Sequence, residues 1–282
     1  MKSVVVTGAS TGIGWGCAKV LVQKGFHVFG SVRKPADADR LASELGPNFV
    51  PLIFDVTDEA AVAAGARQVA EALGGETLAG LVNNAGIAVA GPLLHLPIEE
   101  LRKQLEVNLV GQVIVTQAFA PLLGADCERK GAKGRIVMIS SVGGTTANPF
   151  MGPYNASKFG MEGLSEALRR ELMIHGIDVI VVAPGAVATP IWDKADQIDT
   201  ARYANTVYAG SLDRIKAYML ELGRKGLKPE VLGDAVWKAL TVAKPKTRYV
   251  VTPDKIQHFM VNRLPKRTVD KMIAGRLGLK KA

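Results

Sequence analysis

The feature that most constrains the fold of this chain is the alternation of short Val- and Ile-rich runs with longer helical patterns. Such alternation is typical of βαβ units, in which helices cover both faces of a parallel sheet. Because no internal repeat or Pro- or Ser-rich linker interrupts it, it predicts a single α/β domain with a doubly wound parallel sheet. Seven strands are predicted, at residues 3–7, 27–32, 49–54, 79–83, 135–140, 177–183 and 247–251. Helices are predicted at residues 12–24, 37–45, 58–73, 98–124, 153–175 and 230–243.

One long segment, residues 190–229, interrupts this alternation without a strand pattern. Its apolar residues are loosely spaced, as they are in short helices, and the segment is longer than a connection between a strand and a helix needs. It therefore predicts a helical lid at one edge of the sheet. The apolar residues concerned are Ile191, Trp192, Tyr203, Val207, Tyr208, Leu212, Tyr218, Met219 and Leu222.

The formal net charge of +9 is concentrated at the C-terminus. Residues 255–282 contain eight basic residues and one acidic residue, a net charge of +7, which leaves +2 for the other 254 residues. Because the rest of the chain is nearly balanced and carries no nucleic-acid-binding motif, we expect no nucleic acid partner. The sequence thus divides into a nearly neutral α/β domain, residues 1–252, and a basic amphipathic extension, residues 253–282.

The apolar residues of this extension fall on one helical face, which leaves two interpretations open. The face packs on the lid or on a second subunit while the basic side chains stay in solvent, or it makes a weak contact with a membrane surface. We favour packing.

The cysteine pattern and the absence of membrane or export signals predict a cytoplasmic protein. Cys17 and Cys127 form no motif and are expected to be free thiols in a reducing compartment. The first strand begins next to Met1, which leaves no room for a signal peptide, and no apolar run of about 18 residues offers a transmembrane helix. The four histidines lack metal-ligand spacing, so no metal site is predicted.

A glycine-rich segment, TGASTGIG at residues 7–14, follows the first strand and leads directly into the first helix. Glycines there allow a tight turn and let a pyrophosphate approach the amides at the start of a helix, where the helix dipole favours negative charge. The alternative is a tight turn without a ligand. The strand–turn–helix context favours dinucleotide binding, with contacts expected from Gly8, Ser10, Thr11, Gly12, Ile13 and Gly14.

The end of the second strand indicates which dinucleotide is bound. An acidic residue there would accept hydrogen bonds from the adenosine ribose and repel a 2′-phosphate. This chain has Val32 in that place, followed by Arg33 and Lys34. A charge-assisted arginine–phosphate contact contributes about 1.5–3 kcal/mol, so NADP(H) is expected in preference to NAD(H). The alternative is that both cations are simply solvated.

Tyr154 and Lys158 stand one turn apart on the same face of a predicted helix. A phenol titrates near 10, and lowering that pKa to about 7 takes about 4 kcal/mol, which a lysine ammonium about 4 Å away supplies at an effective dielectric of about 20. Tyr154 can then donate a proton to a ketone oxygen or take one from an alcohol. Ser141, at the carboxyl end of the fifth strand, can hydrogen-bond the same oxygen.

Together these segments resemble the short-chain dehydrogenases/reductases of the compact, non-extended type. The resemblance covers residues 3–190 and resumes weakly near 230–251. It rests on TGASTGIG at 7–14, NNAG at 83–86, Asn108 in NLVG, Ser141 in ISS, YNASK at 154–158 and PGAVATP at 184–190. It implies a Rossmann-type fold and a metal-free NADP-dependent oxidoreductase that interconverts an alcohol and its ketone or aldehyde.

The resemblance also implies roles for individual residues. Tyr154 would be the acid/base, Lys158 its electrostatic modulator, Ser141 the substrate-orienting group, and Asn108 the holder of a water that links Lys158 to solvent. Besides Tyr154, Lys158, Arg33 and Lys34, cofactor contacts are implied at Asp55, Val56, Asn83, Ala85, Gly86, Pro184, Gly185, Val187 and Thr189.

The lid, the RYVV strand and the LPKR segment loosely resemble hydroxysteroid and retinol dehydrogenases, which implies a small hydrophobic carbonyl or alcohol substrate. Family members also suggest a homodimer or homotetramer built on the helices near 98–124 and 153–175. Two alternatives remain: a non-catalytic NADP-binding regulatory or scaffold protein, and an enoyl reductase or epimerase on the same fold. The intact set of Asn108, Ser141, Tyr154 and Lys158 argues against the first. The short Tyr–Lys spacing and the small C-terminal extension argue against the second.

Overall fold

The computed structural model describes residues 1–126, 128–189, 201–253, 260 and 263–279. The predictions made for Cys127, for Ile191 and Trp192 of the lid, and for most of residues 254–262 concern positions outside these ranges. The same holds for the last three residues of the basic extension.

The sheet has seven strands, all paired in parallel, in the order β3-β2-β1-β4-β5-β6-β7. This confirms the predicted doubly wound α/β fold, and the predicted strand boundaries agree with the structure to within about one residue. The strands are β1 (Ser3–Val6), β2 (His27–Val32), β3 (Phe49–Ile53), β4 (Gly80–Asn83), β5 (Arg135–Ile139), β6 (Asp178–Pro184) and β7 (Arg248–Val251).

Helices pack on both faces of the sheet. They are α1 (Gly12–Gln23), α2 (Pro35–Leu45), α3 (Glu59–Leu73), α4 (Ile98–Leu105), α5 (Gly111–Phe119), α6 (Gly152–Glu171), α7 (Ala209–Arg224), α8 (Pro229–Thr241) and α9 (Lys266–Leu277). The single helix predicted at 98–124 is divided, because a π-helical turn at Glu106–Val110 separates α4 from α5 and a 3₁₀ turn follows at Ala120–Leu123. A π-turn inside a helix frequently marks a functional site.

The strand β1 shows why the central strands read as unbroken apolar runs. Val5 packs into the core formed with α3, α5 and α6, whereas Val4 and Val6 pack into the core formed with α1, α2 and α8. Successive side chains of a strand point to opposite faces, so a strand buried on both faces needs an apolar residue at every position. All four residues of β1 are accordingly buried.

The strand order reverses between β1 and β4, and this reversal positions the site. The loops after these two strands diverge there and leave a crevice at the carboxyl edge of the sheet, the usual ligand site of such folds. The side chain of Asn84, just after β4, bridges the two loops: its Nδ2 donates to the carbonyl of Thr7 at 2.8 Å.

In its described residues, 201–229, the predicted lid contains the long helix α7, and the C-terminal helix α9 packs against it. Leu277 of α9 is 3% exposed in a cluster with Leu212 and Ile215 of α7. Arg214 donates to the carbonyl of Leu277 at 3.1 Å, and the Arg276 guanidinium lies 3.9 Å from the centre of the Tyr218 ring. Ile273 and Leu277 of the apolar stripe of α9 therefore pack against the lid, in line with the packing interpretation, whereas Met272 of the same stripe is exposed.

The helical stretch Ile98–Leu123 is an exception to the expectation that no apolar run is long enough for a transmembrane helix. Its 26 residues include an 18-residue window with a mean hydropathy of 1.2, which by length and composition alone is enough to cross a membrane. The core of the domain accounts for this composition, because Val115 and Phe119 are fully buried against the sheet. Its polar residues Gln104, Asn108 and Gln112 are buried as well.

Candidate functional site

A cavity of about 420 Å³ opens at the carboxyl edge of the sheet, where the loops after six strands meet the lid helix α7. Most of the predicted site residues line it. They are Gly8, Ser10, Thr11, Gly12, Ile13, Arg33, Asp55, Val56, Ala85, Gly86, Ser141, Tyr154, Lys158, Pro184, Gly185, Val187 and Thr189.

Four predicted site residues lie outside this lining: Gly14, Lys34, Asn83 and Asn108. Gly14 packs directly against the turn. A Cβ on Gly14 would lie 2.1 Å from the carbonyl oxygen of Gly8, so only glycine fits there. Lys34 is the exposed N-cap residue of α2. Asn83 is fully buried and its Nδ2 donates to Thr116 Oγ1 at 2.8 Å. Asn83 therefore stabilises the sheet interior.

The glycine-rich turn after β1 forms part of the cavity wall. Gly8 and Gly12 adopt φ values of +67° and +60°, a region that favours glycine. A Cβ on Gly8 would come within 2.9 Å of the Cα of Ala85. The turn is held by Ser31, whose Oγ accepts from the Gly8 amide at 3.0 Å, and by Arg40, which donates to the Ser10 carbonyl at 2.6 Å.

The start of α1 fits a pyrophosphate group. Within the described chain, the Thr11 side chain does not cap the helix, so the first-turn amides are left to a ligand or solvent. Gly12 and Ile13, the first helical residues, line the cavity. Free amides and the positive end of a helix dipole together favour a bound phosphate. The residues present therefore fit the dinucleotide that the sequence predicts.

Arg33 and Asp55 lie together where the adenosine end of a dinucleotide would be expected. Arg33 Nη1 is 3.7 Å from Asp55 Oδ2, and both residues line the cavity. Partial burial acts to raise the pKa of Asp55, but hydrogen bonds from Thr57 and the charge of Arg33 outweigh it and hold the pKa below its usual value. The Asp55 carboxylate is thus ionised at neutral pH.

Ser141, Tyr154 and Lys158 meet at the wall of the cavity that follows β5. The Ser141 and Tyr154 side chains lie close together beside Gly143, where a Cβ would be 3.3 Å from Ser141 Oγ and 3.4 Å from Tyr154 Cε1, and Ser141 Oγ accepts from the Gly143 amide at 3.0 Å. Lys158 Nζ lies 5.8 Å from the centre of the Tyr154 ring and donates to the carbonyl of Ile139 at 2.8 Å. The end of β5 and the first turns of α6 therefore bring two hydroxyls and an amine to one wall.

The electrostatics of this wall differ from the prediction that Lys158 lowers the pKa of Tyr154. Burial raises the pKa of the Tyr154 phenol, and the hydrogen bond with Ser141 only partly offsets this. Burial also lowers the pKa of Lys158 to about 8, against the opposing charge of Glu162. The physical reason is that desolvation disfavours the charged form of both groups. Tyr154 is thus a protonated phenol at neutral pH.

Asn108 lies in the π-helical turn, behind the cavity wall formed by Ser141, Tyr154 and Lys158. Its Oδ1 accepts from the Ile87 amide at 2.9 Å, and its Nδ2 donates to the Ile87 carbonyl and to Ser157 Oγ, both at 3.1 Å. Ser157 in turn donates to the carbonyl of Tyr154 at 2.7 Å. Asn108 therefore connects the loop after β4 to the helix that carries Tyr154 and Lys158.

Comparison with known proteins identifies the family. The family model described as short chain dehydrogenase matches residues 2–199. The chain belongs to the short-chain dehydrogenase family. As a member of this family it is an NAD(P)-dependent oxidoreductase.

Individual relatives agree with this assignment over nearly the whole chain. An NADPH-dependent 3-dehydrocapnine reductase from Ornithobacterium rhinotracheale is 41% identical, with 96% of each chain covered. A 3-ketodihydrosphingosine reductase from Bacteroides thetaiotaomicron is 34% identical, with 89% of this chain and 87% of the relative covered. A short-chain dehydrogenase/reductase from Burkholderia phymatum in complex with NAD shares the fold, with a TM-score of 0.79, 24% identity, and 96% and 95% of the two chains covered.

Several residues of this short-chain dehydrogenase line the cavity without having been predicted, notably Asn84, Asn148 and Asn155. Asn84 and Asn155 stand inside the motifs NNAG and YNASK, so the signal for them was present. Asn155 donates to the carbonyl of Gly143 at 2.8 Å and accepts from the Asn148 amide at 3.1 Å, which holds the loop after β5 against α6. Over the residues described, no group of His, Cys, Asp or Glu side chains is arranged to hold a metal ion.

Proposed function

We propose that this short-chain dehydrogenase reduces the carbonyl group of a hydrophobic ketone or aldehyde to an alcohol, with NADPH as the preferred cofactor. The observation that carries the proposal is the placement of the Ser141 and Tyr154 hydroxyls at the wall of a cavity that the start of α1 also lines. Two hydroxyls at one point suit a carbonyl oxygen, which can accept a hydrogen bond from each.

The proposed chemistry divides between the cofactor and the chain. When bound, NADPH supplies a hydride for the carbonyl carbon. Ser141 holds the carbonyl oxygen, and Tyr154 donates its phenolic proton to that oxygen as negative charge develops there. Because burial raises the pKa of Tyr154, the phenol carries this proton at neutral pH, which suits the reductive direction.

Lys158 and Asn108 support the two hydroxyls in this proposal. With a pKa of about 8, Lys158 is largely protonated at neutral pH, and its positive charge stabilises the tyrosinate left after proton transfer. Asn108 holds α6 in place through Ser157, and its predicted part in a water relay to Lys158 stays a proposal.

The proposed substrate class rests on the lid. Ile215, Tyr218, Met219 and Leu222 of α7 line the cavity and make this wall largely apolar. The names of the two relatives, a 3-dehydrocapnine reductase and a 3-ketodihydrosphingosine reductase, describe reduction of an oxo group at position 3. A hydrophobic compound with a ketone is therefore the substrate class that we propose.

The proposed preference for NADPH rests on Arg33. Its side chain is 66% exposed and lines the cavity at the end of β2, where it can contact a 2′-phosphate. No acidic residue occupies the last position of β2, which is Val32. The NADPH dependence of the relative from Ornithobacterium supports the same preference.

Replacing Tyr154 tests the proposed chemistry. Tyr154→Phe removes the proton donor but keeps the ring, so reduction of a long-chain methyl ketone should fall by about 10²–10⁴-fold in kcat. NADPH binding, measured by protein fluorescence, should change little. Tyr208→Phe is a matched control, because the Tyr208 ring contacts Phe150 and His95 away from the cavity lining. A Tyr154→Phe variant with full turnover would contradict the proposal.

Replacing Arg33 tests the cofactor preference. Arg33→Ala should raise the Kd for NADPH about 10-fold, the lower end of a charge-assisted phosphate contact, since the side chain is largely exposed to screening solvent. The Kd for NADH should stay the same, because NADH lacks the 2′-phosphate. Lys34→Ala removes the neighbouring charge outside the cavity lining and should have a much smaller effect. Equal losses for NADPH and NADH in titration calorimetry would argue against the preference.

We also propose a homodimer or homotetramer that uses α6 and the turn between α4 and α5. Phe159 on α6 and Val110 in the turn are 45% and 44% exposed, so both apolar side chains are available for a contact between subunits. Light scattering should give a multiple of the single-chain mass for the wild type and a lower mass for a Phe159→Glu, Val110→Glu variant. A wild type with the mass of one chain would contradict this assembly.

A further inference from the structure

We propose that Glu162, paired with Arg248, is a positioning residue that keeps Lys158 charged and fixes it beside the catalytic hydroxyls. This inference rests on the proposed function, because it assigns to Glu162 an effect on the group that assists Tyr154. Glu162 follows Lys158 by one turn of α6, so the two side chains lie on the same face of the helix.

The contacts of Glu162 join three elements. Its Oε1 accepts from the hydroxyl of Ser140, next to Ser141 at the end of β5, at 2.7 Å. Its two oxygens also accept from Arg248 at the start of β7, with Nε to Oε2 at 3.1 Å and Nη2 to Oε1 at 3.2 Å. The two side chains are only 20% and 26% exposed, so this two-pronged ion pair is largely shielded from solvent.

The backbone beside Glu162 is built around this carboxylate. A Cβ on Gly144, in the turn after Ser141, would lie 3.0 Å from Glu162 Cγ and 2.8 Å from Ser140 Oγ. The turn therefore passes so close to the Glu162 side chain that glycine fits there without displacing it. This close packing fixes the end of β5, and with it Ser141, relative to α6.

Lys158 depends on the charge of Glu162 because its other neighbours are neutral. Nζ donates to the Ile139 carbonyl from β5, and the Tyr154 ring and Met161 Sδ lie nearby on α6. The charged groups that face it within the described ranges are Glu162 on α6 and, beyond Glu162, Arg248 from β7. Burial lowers the pKa of Lys158 to about 8, and the Glu162 carboxylate opposes that decrease. Arg248 partly offsets the field of the carboxylate.

Two substitutions should move the pH profile in opposite directions. Glu162→Gln keeps an oxygen for Ser140 but removes the negative charge, so the pKa of Lys158 should fall further. Arg248→Gln removes the positive charge that partly offsets the Glu162 carboxylate, so the pKa of Lys158 should rise. Removing one unit charge near Lys158 in a partly shielded site should shift the pKa of Lys158 by about 0.5–1 pH unit.

The primary measurement is the alkaline limb of log kcat/KM for NADPH-dependent reduction of a long-chain methyl ketone. Tyr154 keeps its proton well above pH 8, so the loss of activity near pH 8 reports deprotonation of Lys158. The limb should move to lower pH in Glu162→Gln and to higher pH in Arg248→Gln. Glu166→Gln, one turn further along α6 and paired with Arg170 at the surface, should leave the limb in place.

A second readout does not depend on turnover. The pH dependence of Lys158 acetylation by acetic anhydride, followed by peptide mass spectrometry, should show the same opposite shifts. If the wild type reduces no ketone, the proposed function fails while this labelling still tests the role of Glu162. Shifts in the same direction, or unchanged limbs and labelling profiles, would overturn the inference, because a purely structural role predicts no opposite movement. If Glu162→Gln does not fold, an unshifted profile in Arg248→Gln is sufficient to overturn it.

Discussion

The site depends on burial of a parallel sheet on both faces. Because helices cover both faces, the loops at the carboxyl ends of the strands offer the open edge where a ligand can meet many backbone amides and polar side chains. The reversal of strand order between β1 and β4 then separates two of these loops, and Asn84 holds them at a fixed spacing. The glycine-rich turn after β1 and the side chains of Ser141 and Tyr154 consequently line the same cavity.

Burial also determines the electrostatics of the catalytic wall. The partial burial of Tyr154 and the nearly complete burial of Lys158 favour the neutral form of both, so the phenol retains its proton and the amine loses its own more easily. A protonated phenol can donate a proton, as the proposed reduction requires. The Glu162–Arg248 pair lies one turn away and provides the charge that can adjust this balance.

Much of the fold was predictable, because a strand buried on both faces must be apolar at every position and therefore stands out in the sequence. Within the site, Tyr154, Lys158 and Ser141 were predictable because each is fixed by a local spacing or by the end of a strand. The partners of Lys158 were not predictable from that spacing, since the Ile139 carbonyl and Arg248 arrive from other elements. Gly14 and Asn83 belong to motifs that surround the cavity but lie outside its lining, Gly14 against the Gly8 carbonyl and Asn83 against Thr116, and their predicted cofactor contacts stay predictions.

In the proposed reaction, hydride passes from NADPH to a carbonyl carbon and a proton passes from Tyr154 to the oxygen. An enoyl reductase instead delivers hydride to a carbon–carbon double bond. An α,β-unsaturated ketone offers both sites in one molecule. The most direct measurement is its reduction by NADPH deuterated at the transferred position, with the product examined by NMR. We predict an allylic alcohol with deuterium on the carbinol carbon and the double bond intact. A saturated ketone with deuterium on the β-carbon would contradict this account.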